Sequence, residues 1–265
     1  MSKKKTKQKK HYITKTNKFH QPKPLKDKLQ DVYYGTINLD SICKGNISCC
    51  KTSCPQMFFS EFSSLIQQVW DTTSRSEKVE LICTSIEYFF RNEFEKWGMD
   101  TLVKPCLLLD EKNKKCRYYE ERCLNCRLYG LWPKKDYNER VDKFEKAYKG
   151  LLKRKELPLN TQCPHVKRID ESKELTTEVI NGLFEQLDKL DEKVGRFSAL
   201  QMSQKENYRT FHDWLLLKIF GETWLSDLTT FMLAANKDML VEQVEALKDA
   251  VKQKFAKDMP DIKGI

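Results

Sequence analysis

The 265-residue sequence predicts a mainly α protein, with helices around an irregular Cys-rich core followed by a C-terminal helical bundle. Three observations lead there. Apolar residues recur three and four positions apart in several long stretches, the spacing of one helix face. Nine of the ten cysteines fall in stretches too broken for long elements, and the chain after Cys163 has none. There are only nine glycines and no G-x-G-x-x-G or G-x-x-x-x-G-K-[ST] run, which disfavours a Rossmann or Walker-type nucleotide site.

The first segment is set apart by charge. Residues 1–28 hold 11 of the 48 Lys and Arg residues and one of the 38 acids, Asp27, so the net charge of +10 belongs to them; the remaining 37 bases balance 37 acids. Apolar residues are few and Pro22 and Pro24 interrupt the run. Such a segment cannot bury enough surface to offset its ordering entropy, and residues 1–30 are predicted to be a disordered basic tail. No apolar segment follows the lysines, so it does not read as a secretory signal, and without Arg it does not read as a transit peptide. No apolar run approaches the roughly 18 residues of a membrane span. The tail offers weak contact to nucleic acid, an anionic membrane or an acidic partner, or serves only as a solubilising arm.

Residues 43–54 carry Cys43, Cys49, Cys50 and Cys54 in an irregular stretch ended by Pro55. A helix follows, with Phe59, Phe62, Ile66, Val69 and Trp70 on one face. The next is predicted to start at a Ser76 cap, to align Val79, Ile82, Cys83, Ile86, Phe90 and Trp97, and to stop at Gly98. Residues 106–126 are again broken, with a short strand or turn at 115–119. Asp136 with Glu139 reads as a helix start before Val141, Phe144, Tyr148 and Leu151. A loop with Pro158 and Pro164 holds Cys163 and His165. Ile180, Leu183, Leu187, Leu190, Val194 and Phe197 then mark a strong helix. Thr210 with Asp213 caps a helix that Gly221 stops, and two more apolar faces run over 224–232 and 240–255. The organisation is a tail (1–30), a Cys-rich unit (40–165) and a helical unit (170–257), packed together.

Cys83 alone lies on an apolar helix face and is expected in the core, where a free thiol acts as a small hydrophobe. For the other nine, disulfides fit poorly with the missing export signal and a chain large enough to fold without staples. Unrelated thiols would require adjacent Cys49-Cys50 and repeated clusters in irregular loops by chance. Metal coordination is preferred, because loops with few core residues gain order from thiolate–metal bonds. Only Cys123-x-x-Cys126 has zinc-knuckle spacing, and the ferredoxin pattern C-x₂-C-x₂-C-x₃-C is absent. Cys50-x₃-Cys54 begins a radical-SAM pattern, but Met57 stands in the last position. More thiols than one tetrahedral ion can use favour an iron–sulfur cluster, or several metals, over a single zinc ion.

Three stretches resemble the CxxCxxCC family of zinc- or iron-chelating proteins, the YkgJ-type cysteine clusters. Cys43 and the Cys49-Cys50 pair keep the outer spacing of the family's first element. Lys104-Pro105-Cys106-Leu107-Leu108-Leu109 is similar to its P-C-x-x-L element. Cys116-Arg117-Tyr118-Tyr119-Glu120-Glu121-Arg122-Cys123-Leu124-Asn125-Cys126-Arg127 is similar to C-x-I-Y-E-x-R-P-x-x-C-R. Asn46 replaces the usual second Cys, and Cys123 replaces the usual Pro. The resemblance covers about 43–132 and implies metal chelation in a cytoplasmic setting. Some flagellin lysine methylases are said to share such a cluster, which keeps an enzymatic alternative open.

The expected ligands are Cys43, Cys49, Cys50, Cys106, Cys116 and Cys126, then Cys163, with Cys54 and Cys123 behind them. On an extended chain Cys49 and Cys50 would point apart and serve different metal atoms. Arg117, Arg122 and Arg127 flank the thiols; each either stabilises thiolate charge or makes a surface ion pair, and for Arg117 the ion pair is preferred. Tyr118, Tyr119 and Tyr129 would shield a cluster or simply pack. His165 is a ligand, a hydrogen-bond partner of one or an ordinary loop residue, the last preferred, and His212 reads as structural. No hydrolytic triad or carboxylate pair stands in a recognisable context. The function expected is metal binding, iron–sulfur ahead of zinc, in electron transfer or metallocofactor maturation with a protein partner. The alternatives are a zinc-stabilised interaction or nucleic-acid-binding module and a methylase-like enzyme.

Overall fold

A computed structural model describes residues 24–37, 47–52, 54–96, 105–147, 175–194 and 208–262. It is mainly helical. The first helix, α1, spans Leu25–Ile37 and buries Leu29, Val32 and Tyr33. The tail expected to be disordered through residue 30 therefore gives way to a helix at Leu25; the lysines before it lie outside the described residues. Gly98, Cys43, Cys163, His165, Trp97 and Phe197 lie outside them too.

A short helix, α2 (Ser48–Thr52), precedes Pro55, where an irregular stretch was expected. Pro55 restricts the residue before it, and the helix ends two residues earlier still, so the proline costs it nothing. Strand β1 (Gln56–Phe58) runs straight into α3 (Phe59–Thr72). All five residues of the expected α3 face, Phe59, Phe62, Ile66, Val69 and Trp70, are buried. Helix α4 (Arg75–Lys96) starts at Ser74 rather than Ser76. The Ser74 N–H donates to Glu77 Oε2 (2.8 Å), while the Glu77 N–H donates to Ser74 Oγ (3.3 Å), a reciprocal capping box.

A hairpin follows, β2 (Leu109–Asp110) with β3 (Lys115–Cys116), paired Leu109 to Cys116 and Asp110 to Lys115. Its turn is closed by Asp110, which accepts from the Asn113 N–H and side-chain amide. A 3₁₀ turn at Tyr119–Glu121 leads to the one-turn helix α5 (Leu124–Arg127). Helix α6 (Lys134–Ala147) begins two residues before Asp136, directly after Pro133, which suits a helix N-terminus. Asp136 instead accepts from Thr177 Oγ1 on α7 (Thr177–Val194).

Strand β4 (Tyr208–Thr210) pairs antiparallel with β1 and leads into α8 (Phe211–Phe220), capped by Thr210 as expected. Gly221, at φ 84°, ends α8 in a conformation that side chains disfavour. Helices α9 (Glu222–Ala234) and α10 (Lys237–Lys257) complete the C-terminal bundle.

Two apolar clusters hold these elements. The larger joins α3, α4 and α8–α10, with Phe62, Ile82, Ile86, Phe90, Trp214 and Leu215 at its centre. Helix α4 packs on both α10 and α8. The smaller joins α1, α5 and α7 through Leu29, Leu124, Leu128, Ile180, Leu183 and Leu187. Both clusters mix residues from either side of position 170, so the two stretches pack together through shared cores. Cys83 sits in the larger cluster, 1% exposed, its thiol 3.7 Å from Lys248 O on α10, as its helix position implied.

Candidate functional site

Seven thiols from four stretches of chain gather between the hairpin and the ends of α2 and α5. Cys49, Cys50, Cys54, Cys106, Cys116, Cys123 and Cys126 are all free and at least partly buried. Local structure explains their placement. The Cys106 N–H donates to Cys50 O (2.6 Å), joining the Pro105–Cys106 segment to α2. Tyr88 Oη donates to Pro105 O (2.9 Å), anchoring that segment to α4. Cys116 ends β3 opposite Leu109, and Tyr118 Oη, 3.0 Å from Thr72 Oγ1, ties the following turn to α3. Cys123 stands at the N-cap of α5 and Cys126 within it.

The sulfurs meet in couples. Cys49 Sγ and Cys50 Sγ are 3.7 Å apart, and Cys123 Sγ and Cys126 Sγ 3.6 Å. Cys54 and Cys106 share a third thiol hydrogen bond. The divergence expected of Cys49 and Cys50 assumed an extended chain; in a helical turn the two converge. Four sulfurs around a tetrahedral ion at about 2.3 Å stand about 3.8 Å from one another. The two measured couples have that spacing. Among the described residues, however, no three or more His, Cys, Asp or Glu side chains are arranged to hold a single metal ion.

Electrostatics tie the couples into one site. Cys50 is raised first by its hydrogen bond with Cys49, then by burial and by the charges of Cys49, Cys106 and Cys116. Cys49 is lowered to about 7, chiefly because Cys50 donates to its thiolate, with the Arg122 guanidinium assisting. The couple thus gives up one proton readily and holds the second. Cys106 and Cys126 are held well above the ordinary thiol value, first by hydrogen bonds with Cys54 and Cys123 and then by burial. Burial pushes Cys116 up to about 11. So many thiols cannot ionise together unless a cation neutralises them, and proton release would accompany its binding. The donor set is all sulfur, which suits zinc or an iron–sulfur cluster.

The flanking arginines differ. Arg117 faces Glu77 at 4.0 Å on the surface, the ion pair expected of it. Arg122 lies 3.5 Å above the Tyr119 ring, and its charge favours thiolate at Cys49 and Cys116. Arg127 is buried rather than on the surface. It donates to Arg122 O (2.9 Å) and Glu120 O (2.6 Å) and stacks 4.3 Å from the Tyr33 ring. His212 is buried in α8, edge-on to Tyr88 at 5.5 Å, a structural setting.

Two buried acids escape sequence reasoning, and the first lies beside the site. Glu61 accepts from Tyr33 Oη (2.7 Å), the Phe58 N–H (2.9 Å) and the Leu124 N–H (2.6 Å). Asp191 reaches from α7 to accept from the Phe59 and Ser60 N–H groups (2.8 and 2.7 Å), capping α3 from 132 residues away. Burial raises Glu61 to about 7 and Asp191 to about 6. The only sign of either is an acid set inside an apolar stripe, Glu61 between Phe59 and Phe62 and Asp191 after Leu190.

No protein-family model matches the chain, and searches of characterised proteins and of solved structures find no match. No helix among the described residues is long and apolar enough to cross a membrane.

Proposed function

We propose that this is a metal-binding protein whose clustered cysteines hold an iron–sulfur cluster, or zinc, and that it acts in electron transfer or metallocofactor maturation in the cytoplasm. One observation carries the reading: seven free thiols, from α2 to α5, converge on one partly buried site. The site contains more sulfurs than one tetrahedral ion uses, which favours a cluster or several ions. Cys43 and Cys163 complete the proposed ligand set. The lysine tail would meet an acidic protein partner or nucleic acid.

The test is metal and acid-labile sulfide analysis of the full chain purified without oxygen. Iron with sulfide and absorbance near ~400 nm is expected for thiolate-bound clusters, whereas zinc alone, with no redox response, removes the electron-transfer role. Cys116→Ala should lower the metal content, and Cys83→Ala should leave it unchanged while costing about 1 kcal/mol of stability. Unchanged stoichiometry in Cys116→Ala takes that residue out of the ligand set.

A further inference from the structure

The Cys123–Cys126 couple rides on an element that cannot place itself. Helix α5 has four residues, and its own backbone bonds are those of Arg127 to Cys123 O and Leu128 to Leu124 O. Its position is set from outside. The Leu124 N–H donates to Glu61 Oε1 at 2.6 Å, and Asn125 Nδ2 donates to Gln56 O at 2.8 Å. Glu61 Oε1 also accepts from Tyr33 Oη of α1, while its second oxygen caps α3 through the Phe58 N–H. The Tyr33 ring in turn lies under Arg127, the last residue of α5. Tyr33 and Glu61 are both buried and neither belongs to a cysteine motif.

We infer that Tyr33 and Glu61 are positioning residues of the thiol site, fixing through the Leu124 N–H the turn that presents Cys123 and Cys126. Ligand-bearing turns keep their geometry through such outer hydrogen bonds, and removing one typically costs ten- to a hundredfold in metal affinity. Once ionised, Glu61 accepts from three converging donors at once, whereas Gln would turn an amide N–H₂ toward one of them at any pH. The inference rests on the metal-binding reading, but the placement of α5 can be measured without a metal.

The experiment compares the full chain with Glu61→Gln, Tyr33→Phe and Asp191→Asn. Asp191→Asn disturbs the other buried carboxylate, which caps α3 and does not touch α5. Tyr33→Phe keeps the ring beneath Arg127 and is the milder change should Glu61→Gln fold poorly. Zinc affinity is read by competition with a chromophoric chelator, beside the thermal midpoint. We expect zinc to bind roughly ten- to a hundredfold more weakly in Glu61→Gln, less weakly in Tyr33→Phe, and within about threefold of the parent in Asp191→Asn, whatever its thermal midpoint. Parent-like affinity in either of the first two variants overturns the inference, as does an equal loss in Asp191→Asn. Should the parent take up no zinc, the metal-binding reading stands or falls on the iron and sulfide analysis above, and alkylation decides the positioning role. Faster maleimide labelling of Cys123 and Cys126 in both variants, read by mass spectrometry, sustains it; unchanged rates overturn it.

Discussion

Burial raises the Glu61 carboxyl to about 7 from an ordinary 4.5, and Asp191 to about 6 from 3.8. In each case the folded chain keeps a proton that the unfolded chain has released. Stability contributed by protonation is full below the unfolded values and is lost as pH rises through the folded ones. The metal-free chain is expected to lose stability as pH climbs from about 4 to 7, read as a falling urea midpoint. Glu61→Gln should flatten the upper part of that decline. A midpoint that rises steadily across the window would contradict the assignment. Neither acid was legible in the sequence as a partner of anything. An acid inside an apolar stripe shows that it will be buried and gives no indication of what it meets, and Glu61 meets a backbone N–H 63 residues away. The cysteines were more legible, because repeated clustering in broken segments is itself a reason for thiols to converge.

Helices with long apolar stripes could be read from the sequence, and α3, α7 and α8 show why. Five residues of α3 and four of α7, Ile180, Leu183, Leu187 and Leu190, lie buried where the spacing placed them. Thr210 accepts from the Asp213 N–H at the start of α8. Short elements were less legible: a strand or turn was expected at 115–119, where β3 lies, but the others left no signal. Strands β1 and β4 pair over three residues, too few for a period of two to register, and α5 has a single turn. The start of α4 was decipherable: Ser74 with Glu77 has capping-box spacing, whereas Ser76 has Val79 three residues on. Ser74→Ala should cost about 1 kcal/mol in denaturant unfolding. Ser76→Ala should cost far less, and the reverse order would return the cap to Ser76.

At the scale of the whole molecule, α4 lies against α8 and α10, and β1 against β4, so each half of the sequence supplies core for the other. A chain cut after residue 170 would strip α4 of both partners and expose Ile82, Ile86 and Phe90. It is expected to show no cooperative thermal transition by calorimetry. A sharp transition in that fragment would establish the Cys-rich segment as an independent domain. The same pairing has a consequence during synthesis. Gln56 must wait for Thr210, about 150 residues later, before their two strands can join. At about 5–20 residues per second a ribosome needs roughly eight to thirty seconds to bridge that gap. Four cysteines precede Gln56 and the other six emerge in the meantime, so all ten have left the ribosome before β1 and β4 can pair.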